Sequence, residues 1–297
     1  MLNVCYDLAR NPPTFDFVTA LLRFERLRLE YNEEGIALNI LPGPNGGFRQ
    51  DKLWPQSIDT RKALLDRVVL PMASMLPSIR RVTLHQSRDD APRCFGIGEH
   101  IINFRRFVDC YRSGVRPLRP SHDLSPDDQL IALTLRESEH WPERNSNLPQ
   151  WHRAGLELSM MGFNVIVVRD TLKADEPLGS LTTSPSASRE LMARAQLYRR
   201  AACNVFVNNG PAWLSVALDA PTIILRPATE GGHAFAGAAG RAKQGIPAGS
   251  QLPNAPRHQR LVWESDTSNN IVAAVVAFMR HADQRIGTRR PSIHAQV

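Results

Sequence analysis

The chain reads as an α/β protein: parallel sheets flanked by helices, divided into two halves. Three observations predict this. Short apolar, β-branched runs alternate with helical periodicities up to His85, the same alternation resumes from Leu130, and a stretch crowded with Gly and Pro lies between them.

In the first half, Asn3 to Tyr6 is a short apolar strand. After Asn11-Pro12-Pro13, Thr14 is a suitable N-cap for a helix running to about Glu30, with Phe17, Leu21 and Phe24 on one stripe. Ile36 to Leu41 is the second strand, ended by the loop Pro42-Gly43-Pro44-Asn45-Gly46-Gly47. A helix spans Ile58 to Leu76, and Pro71 should kink or divide it. Val82 to His85 is the third strand. Ser87 to Ser125 has little periodicity, and Gly114 to Asp128 reads as a linker.

The second half predicts strands at Leu130–Leu135, Asn164–Val168, Val205–Val207, Thr222–Leu225 and Leu261–Trp263. Helices are expected at Leu148–Met161, Arg189–Ala202 and Asn269–His281, the last burying Ile271, Val272, Val275, Val276 and Met279. Thr229 to Pro256 reads as irregular, and the basic tail from Ile286 as disordered.

Composition sets the outer limits. The chain has 297 residues, 42% hydrophobic and 22% charged, which suits a globular protein of two modest domains. No apolar run is long enough for a membrane span, and the N-terminus looks like a first strand rather than a signal peptide, so cytoplasmic residence is expected. The four cysteines, Cys5, Cys94, Cys110 and Cys203, share no metal-ligand spacing, and a reduced chain without disulfides is expected. A net charge of +7 and a pI near 9.7 draw acidic partners. The arginines occur as scattered pairs such as Arg80-Arg81 and Arg199-Arg200, which argues against a nucleic-acid stripe. A diphosphate-bearing small molecule, or peripheral contact with an acidic membrane surface, suits them better.

The most informative stretch runs from Cys203 to Pro227. An apolar strand meets the turn Asn208-Asn209-Gly210, and Pro211 stands where a helix's first residue belongs. Such a turn presents helix N-terminal amides at a strand's carboxyl end, where anions bind in open α/β sheets. Asn208 and Asn209 have side chains able to bond a ligand or to cap the helix. A second polar loop, Arg136 to Asn145, follows the strand at Leu130–Leu135. Arg136 and Arg144 are candidates for one anion, because a guanidinium donates two parallel hydrogen bonds to phosphate. The alternative is that Arg136 pairs with Glu137 or Glu143 at the surface. Glu137 and Asn145 in the same loop are further candidates for substrate contact, and Arg226 closes its strand in the same way. His233 lies in a Gly-rich loop where backbone could approach a ligand.

The segment Asn-Asn-Gly-Pro-Ala-Trp-Leu-Ser-Val-Ala-Leu-Asp-Ala-Pro-Thr, from Asn208 to Thr222, resembles the donor-binding segment of GT-B glycosyltransferases, in particular the heptosyltransferase-like (family 9-like) group. That group typically shows Asn-Asp-Ser-Gly-Pro; this chain has neither the acid nor the Ser. For the rest of the chain the likeness is architectural. It implies two Rossmann-like domains with a cleft between them: residues 1–118 on the acceptor side and residues 119–285 holding a nucleotide sugar, with a basic tail at 286–297. It also implies a last helix that crosses back onto the first domain. The activity implied is sugar transfer from a nucleotide-diphosphate donor to a hydroxyl of a glycan, lipid or small-molecule acceptor. Arg136, Arg144 and the Asn208–Pro211 turn would hold the donor, with a basic residue of the first loop on its phosphates.

Such transfer needs a base for the acceptor hydroxyl. In the group an acid after the first strand serves, which points to Asp16 or Asp7; an acid in a first helical turn is also stabilised there without any catalytic duty. Asn11 opens the same loop, and Gly46-Gly47-Phe48-Arg49 is a candidate for acceptor contact. The chain has no Asp-x-Asp pair and no zinc-ligand spacing, so neither metal nor cofactor is expected. Nicotinamide and phosphate-loop fingerprints are missing, as is a hydrolase Ser elbow. A sugar-nucleotide epimerase and a non-catalytic binding module are the rival readings.

Overall fold

The computed structural model describes residues 1–50, 56–101, 103–115, 118–122, 124–227 and 238–287. Apolar strands buried on both faces dictate the layout, because continuous hydrophobic runs suit parallel sheets covered by helices. The first half holds β1 (Leu2–Asp7), α1 (Phe17–Glu30), β2 (Ile36–Leu41), α2 (Ile58–Leu64), α3 (Leu70–Ser74), β3 (Ile79–Leu84) and α4 (Phe104–Arg112). The three strands form one parallel sheet in the order β1-β2-β3. β2 is wholly buried, whereas β3 lies at the edge and exposes Arg80 and Arg81, charges that discourage further pairing.

The second half holds β4 (Asp127–Thr134), α5 (Leu148–Met160), β5 (Asn164–Val168), β6 (Thr182–Thr183), α6 (Pro185–Arg189), α7 (Leu191–Arg200), β7 (Ala201–Val207), α8 (Gly210–Ala217), β8 (Thr222–Leu225), α9 (Ala238–Gln244), β9 (Gln259–Val262) and α10 (Ser268–Gly287). Its strands form a parallel sheet in the order β6-β5-β4-β7-β8-β9. One apolar core continues from α1, β1 and α4 into α7, α8 and β8, so the halves on either side of residue 118 share packing. A second core lies on the opposite face of the larger sheet.

Several elements depart from expectation. α1 begins at Phe17 with Asp16 as its N-cap residue, not Thr14. The Pro71 helix is divided as expected, by a π-helical turn at Leu65–Val69 where Leu70 N–H reaches Leu65 O; a proline lacks an N–H, and widening the turn before it accommodates the loss. α4 lies in the region read as irregular. Phe107, Val108 and Tyr111 form its buried stripe, and Asn103 accepts Arg105 N–H as its cap. Among its described residues, α10 packs its stripe of Ile271, Val272, Val275, Phe278 and Met279 against α5 and the strands of its own half, not onto the first half. It also runs past Ile286 to Gly287; residues 288–297 and His233 lie outside the described residues.

The expectation of a chain without disulfides is overturned. Cys5 of β1 is bonded to Cys94, 89 residues away, with a Cα–Cα distance of 5.9 Å. Phe95 lies along β1, donating to Asn3 O at 3.1 Å and accepting from Cys5 N–H at 2.7 Å. Gly96 is required there: its φ is +95°, and a Cβ would stand 2.6 Å from Cys5 O. The argument for a reducing compartment from cysteine usage therefore falls. Among the described residues no helix is long and apolar enough to cross a membrane.

Thiol titration of the denatured, unreduced chain should find two free cysteines, Cys110 and Cys203. Reduction should lower stability by roughly 2–4 kcal/mol. Four free thiols before reduction would contradict the Cys5–Cys94 bond.

Candidate anion site at the carboxyl edge of the second sheet

The register of the larger sheet sets the site. Thr134, Phe206, Ile224 and Leu261 align across β4, β7, β8 and β9. Two residues further along each chain segment stand Arg136, Asn208, Arg226 and Trp263. Four polar or aromatic residues thus meet on one row, just beyond the strand ends.

Arg136 is buried, but its guanidinium serves its own loop. It donates to the carbonyls of Trp141 and His140 and to Asn145 Oδ1. Asn145 also binds Ser138 through both its amide groups. Burial, with Arg144 nearby, brings the Arg136 pKa down to about 10. Glu137 is engaged elsewhere, gripping the Arg169 guanidinium at 2.6 and 2.8 Å in a buried pair. Neither of the surface pairings weighed for Arg136 forms: it folds the loop that carries Arg144.

Arg144 spans the loop and the turn, donating from Nη2 to Asn208 O at 2.9 Å. Its guanidinium lies 5.4 Å from the Trp141 ring centre. Trp141 itself is exposed, with a left-handed backbone (φ 53°), a conformation that costs energy for a bulky residue. Burial lowers the Arg144 pKa, opposed by Asp16 and Glu143. Arg226 is also buried, and burial with the charges of Arg241 and Arg144 lowers it to about 10. Such groups remain cationic at neutral pH. Crowded guanidiniums of this kind disfavour the fold unless an anion joins them.

The turn offers less than the free amides expected. Asn209 Oδ1 accepts Ala212 N–H at 3.0 Å and so caps α8 itself, and Pro211 has no N–H. Asn208 Oδ1 accepts the indole N–H of Trp213 at 3.2 Å. The capacity for an anion therefore resides chiefly in the arginines.

The first half reaches this edge at Phe15. Phe15 packs directly on Gly210, where a Cβ would come within 2.4 Å of Phe15 Cβ, and the Arg194 guanidinium covers the Phe15 ring at 5.6 Å. Asp16 follows at once. Its side chain is exposed in area. Burial raises its pKa, against the opposing Thr14 hydroxyl and the charges of Arg144, Arg49 and His100. A raised carboxylate suits a proton acceptor.

No protein-family model matches the chain, and no curated protein sequence matches it either. Solved structures do. The chain is similar to E. coli ADP-heptose LPS heptosyltransferase II with a TM-score of 0.55 and 9% identity, covering 95% of this chain and 100% of that one. It is also similar to a glycosyl transferase family 9 protein from Veillonella parvula, with a TM-score of 0.51 and 8% identity, covering 94% of this chain and 97% of that one. The fold is heptosyltransferase-like. It is the GT-B arrangement of two parallel-sheet halves expected from the Asn208–Thr222 segment.

Within this heptosyltransferase-like fold, Asp16, Arg144, the Asn208 turn and Arg226 converge. Asp7 and Asn11 serve the framework instead. Asp7 is fully buried, taking both Arg88 Nη atoms at 2.6 and 2.9 Å and the amides of Ala9 and Gly98 at 2.9 Å. Burial alone would raise its carboxyl, but these donors hold it below the usual range. Asn11 ties Asp7 O and Glu99 O to Ile101 N–H. Arg49 extends toward Asp16 from the Gly46-Gly47 loop, while Phe48 is buried. Arg241 lies in a stretch without periodicity and Trp263 reads only as the end of the last strand, so neither carried a signal for the site.

Gly210→Ala should cost roughly 1–3 kcal/mol, because the added methyl meets the Phe15 stem. Thermal unfolding measures this; an unchanged midpoint would contradict the contact.

Proposed function

We propose that the protein is a glycosyltransferase that moves a sugar from a nucleotide-diphosphate donor to an acceptor hydroxyl without a metal ion. One observation carries the reading: Arg144 donates to Asn208 O at the turn, and Asp16, from the other half, is a carboxylate whose charge acts on that same guanidinium. A diphosphate's oxygens would accept from the Arg144 guanidinium, which then stabilises the charge that grows as the anomeric carbon–oxygen bond breaks, with the Arg226 cation adding to the field nearby. Asp16 would take the proton of the acceptor hydroxyl as its oxygen attacks that carbon. In this reading stabilisation of the leaving group falls to the arginines. The acceptor is a glycan, lipid or small molecule that bears such a hydroxyl.

The fold and the Asp16–arginine arrangement support an enzyme over a binding module, since binding alone has no use for a base beside the anion site.

Calorimetric titration with a panel of nucleoside diphosphates, paired with turnover assays, tests the assignment. At least one should bind, and Arg144→Gln should weaken it about tenfold or more. Asp16→Asn should spare that affinity and cost turnover about 100-fold or more. Asp16 must be ionised to act, so activity should fail on the acid side with a midpoint above the ordinary Asp value of about 3.9. Arg144→Gln should move that midpoint higher, because the lost cation favours the carboxylate. No binding by any nucleoside diphosphate would remove the donor site, and full turnover by Asp16→Asn would remove the base.

A further inference from the structure

We propose that Arg226, Arg241 and Trp263 form a second oxyanion subsite, separate from the diphosphate position at Arg144 and the Asn208 turn, that takes a phosphate or carboxylate group of a substrate. Only its place in sugar transfer rests on the donor reading above.

Arg226 is 6% exposed and Arg241 is 4% exposed. Both guanidiniums lie over the indole of Trp263, 5.7 and 5.9 Å from the ring centre. The ring is held in place, because its N–H donates to Ser250 O at 2.7 Å. Gln251 fixes the strand beside it, accepting Leu261 N–H and donating to Leu261 O, both at 2.7 Å. Arg226 donates from Nη2 to the neutral Gln244 Oε1, while its Nη1 is buried with no acceptor among the described residues. The charges that act on Arg226 are those of Arg241 and Arg144, both cations.

A structural arginine is ordinarily matched, as Arg169 is by Glu137. Here a donor buried in a rigid setting lacks its acceptor, and a second guanidinium stands on the same ring. An aromatic face beside the Arg226 guanidinium tolerates its charge but does not supply an acceptor for Nη1. The missing partner is a compact anion able to accept from Nη1. Arg144 already spans to Asn208 on the neighbouring row position, so a diphosphate there would leave Arg226 Nη1 for a different group. That group could belong to the donor's sugar or to the acceptor.

Titration of the full chain with inorganic phosphate, followed by tryptophan fluorescence and calorimetry, tests the subsite. Phosphate should bind both alone and in saturating nucleoside diphosphate. Arg226→Gln and Arg241→Gln should each weaken it about tenfold or more, and Trp263→Phe should remove the fluorescence change. In phosphate-free buffer Arg226→Gln should melt no lower than the parent, since it removes an unmatched buried charge; folding failure of that variant leaves Arg241→Gln to carry the test. A nucleotide-linked uronic acid should bind more tightly than its neutral-sugar counterpart if the anion lies on the donor. Equal binding would assign it to the acceptor.

Unchanged phosphate affinity in both arginine variants would overturn the subsite. So would mutual displacement of phosphate and nucleoside diphosphate. Failure of the donor reading would appear separately, as no nucleoside diphosphate binding while the phosphate titration stands.

Discussion

Like charges held together at the carboxyl edge of a parallel sheet dominate the energetics of this protein. Arg136, Arg144, Arg226 and Arg241 occupy or adjoin one row beyond β4, β7, β8 and β9, and burial disfavours the charge of the first three. Asp16 is a carboxylate that acts on Arg144 from the other half, and its own pKa is raised. Elsewhere Arg169 has Glu137, and Asp7 has Arg88 and two backbone amides. At the site, by contrast, the buried Nη1 of Arg226 has no acceptor among the described residues.

The two halves are coupled to that edge by steric contact. Gly210 admits the Phe15 side chain, Arg194 covers the ring, and Asp16 follows one residue later. On the far side of the same half, the Cys5–Cys94 bond holds the segment that brings Gly98 to Asp7 and Ile101 to Asn11. These ties brace the loop between β1 and α1 from both ends, so the carboxylate is presented by a rigid support. The shared core, running from β1 through α1 and α4 into α7 and α8, makes the arrangement a property of the whole chain.

Much of the fold was legible because parallel strands buried on both faces are continuous apolar runs. β2, β5 and β8 have the limits that their residues predict. α4 was not, because Gly and Pro crowd its surroundings and its stripe of Phe107, Val108 and Tyr111 spans little more than one turn. Within the site, Arg144 and the Asn208 turn stood out as polar residues at strand ends. The capping role of Asn209 and the loop-building role of Arg136 depend on which acceptor lies nearest in space, and chain order does not encode that. The disulfide was hidden for the same reason: Cys5 and Cys94 are far apart in sequence, and only the return of Phe95 along β1 brings them together. Arg241 and Trp263 likewise become neighbours of Arg226 only through the β8–β9 register.

The most direct test is an experimental structure of the chain with a nucleoside diphosphate bound. The account predicts its terminal phosphate within hydrogen-bonding distance of the Arg144 guanidinium, at the Asn208 turn and on the side that Asp16 faces. A diphosphate seated against the β1–β2 edge, or anywhere remote from Arg144, would contradict it.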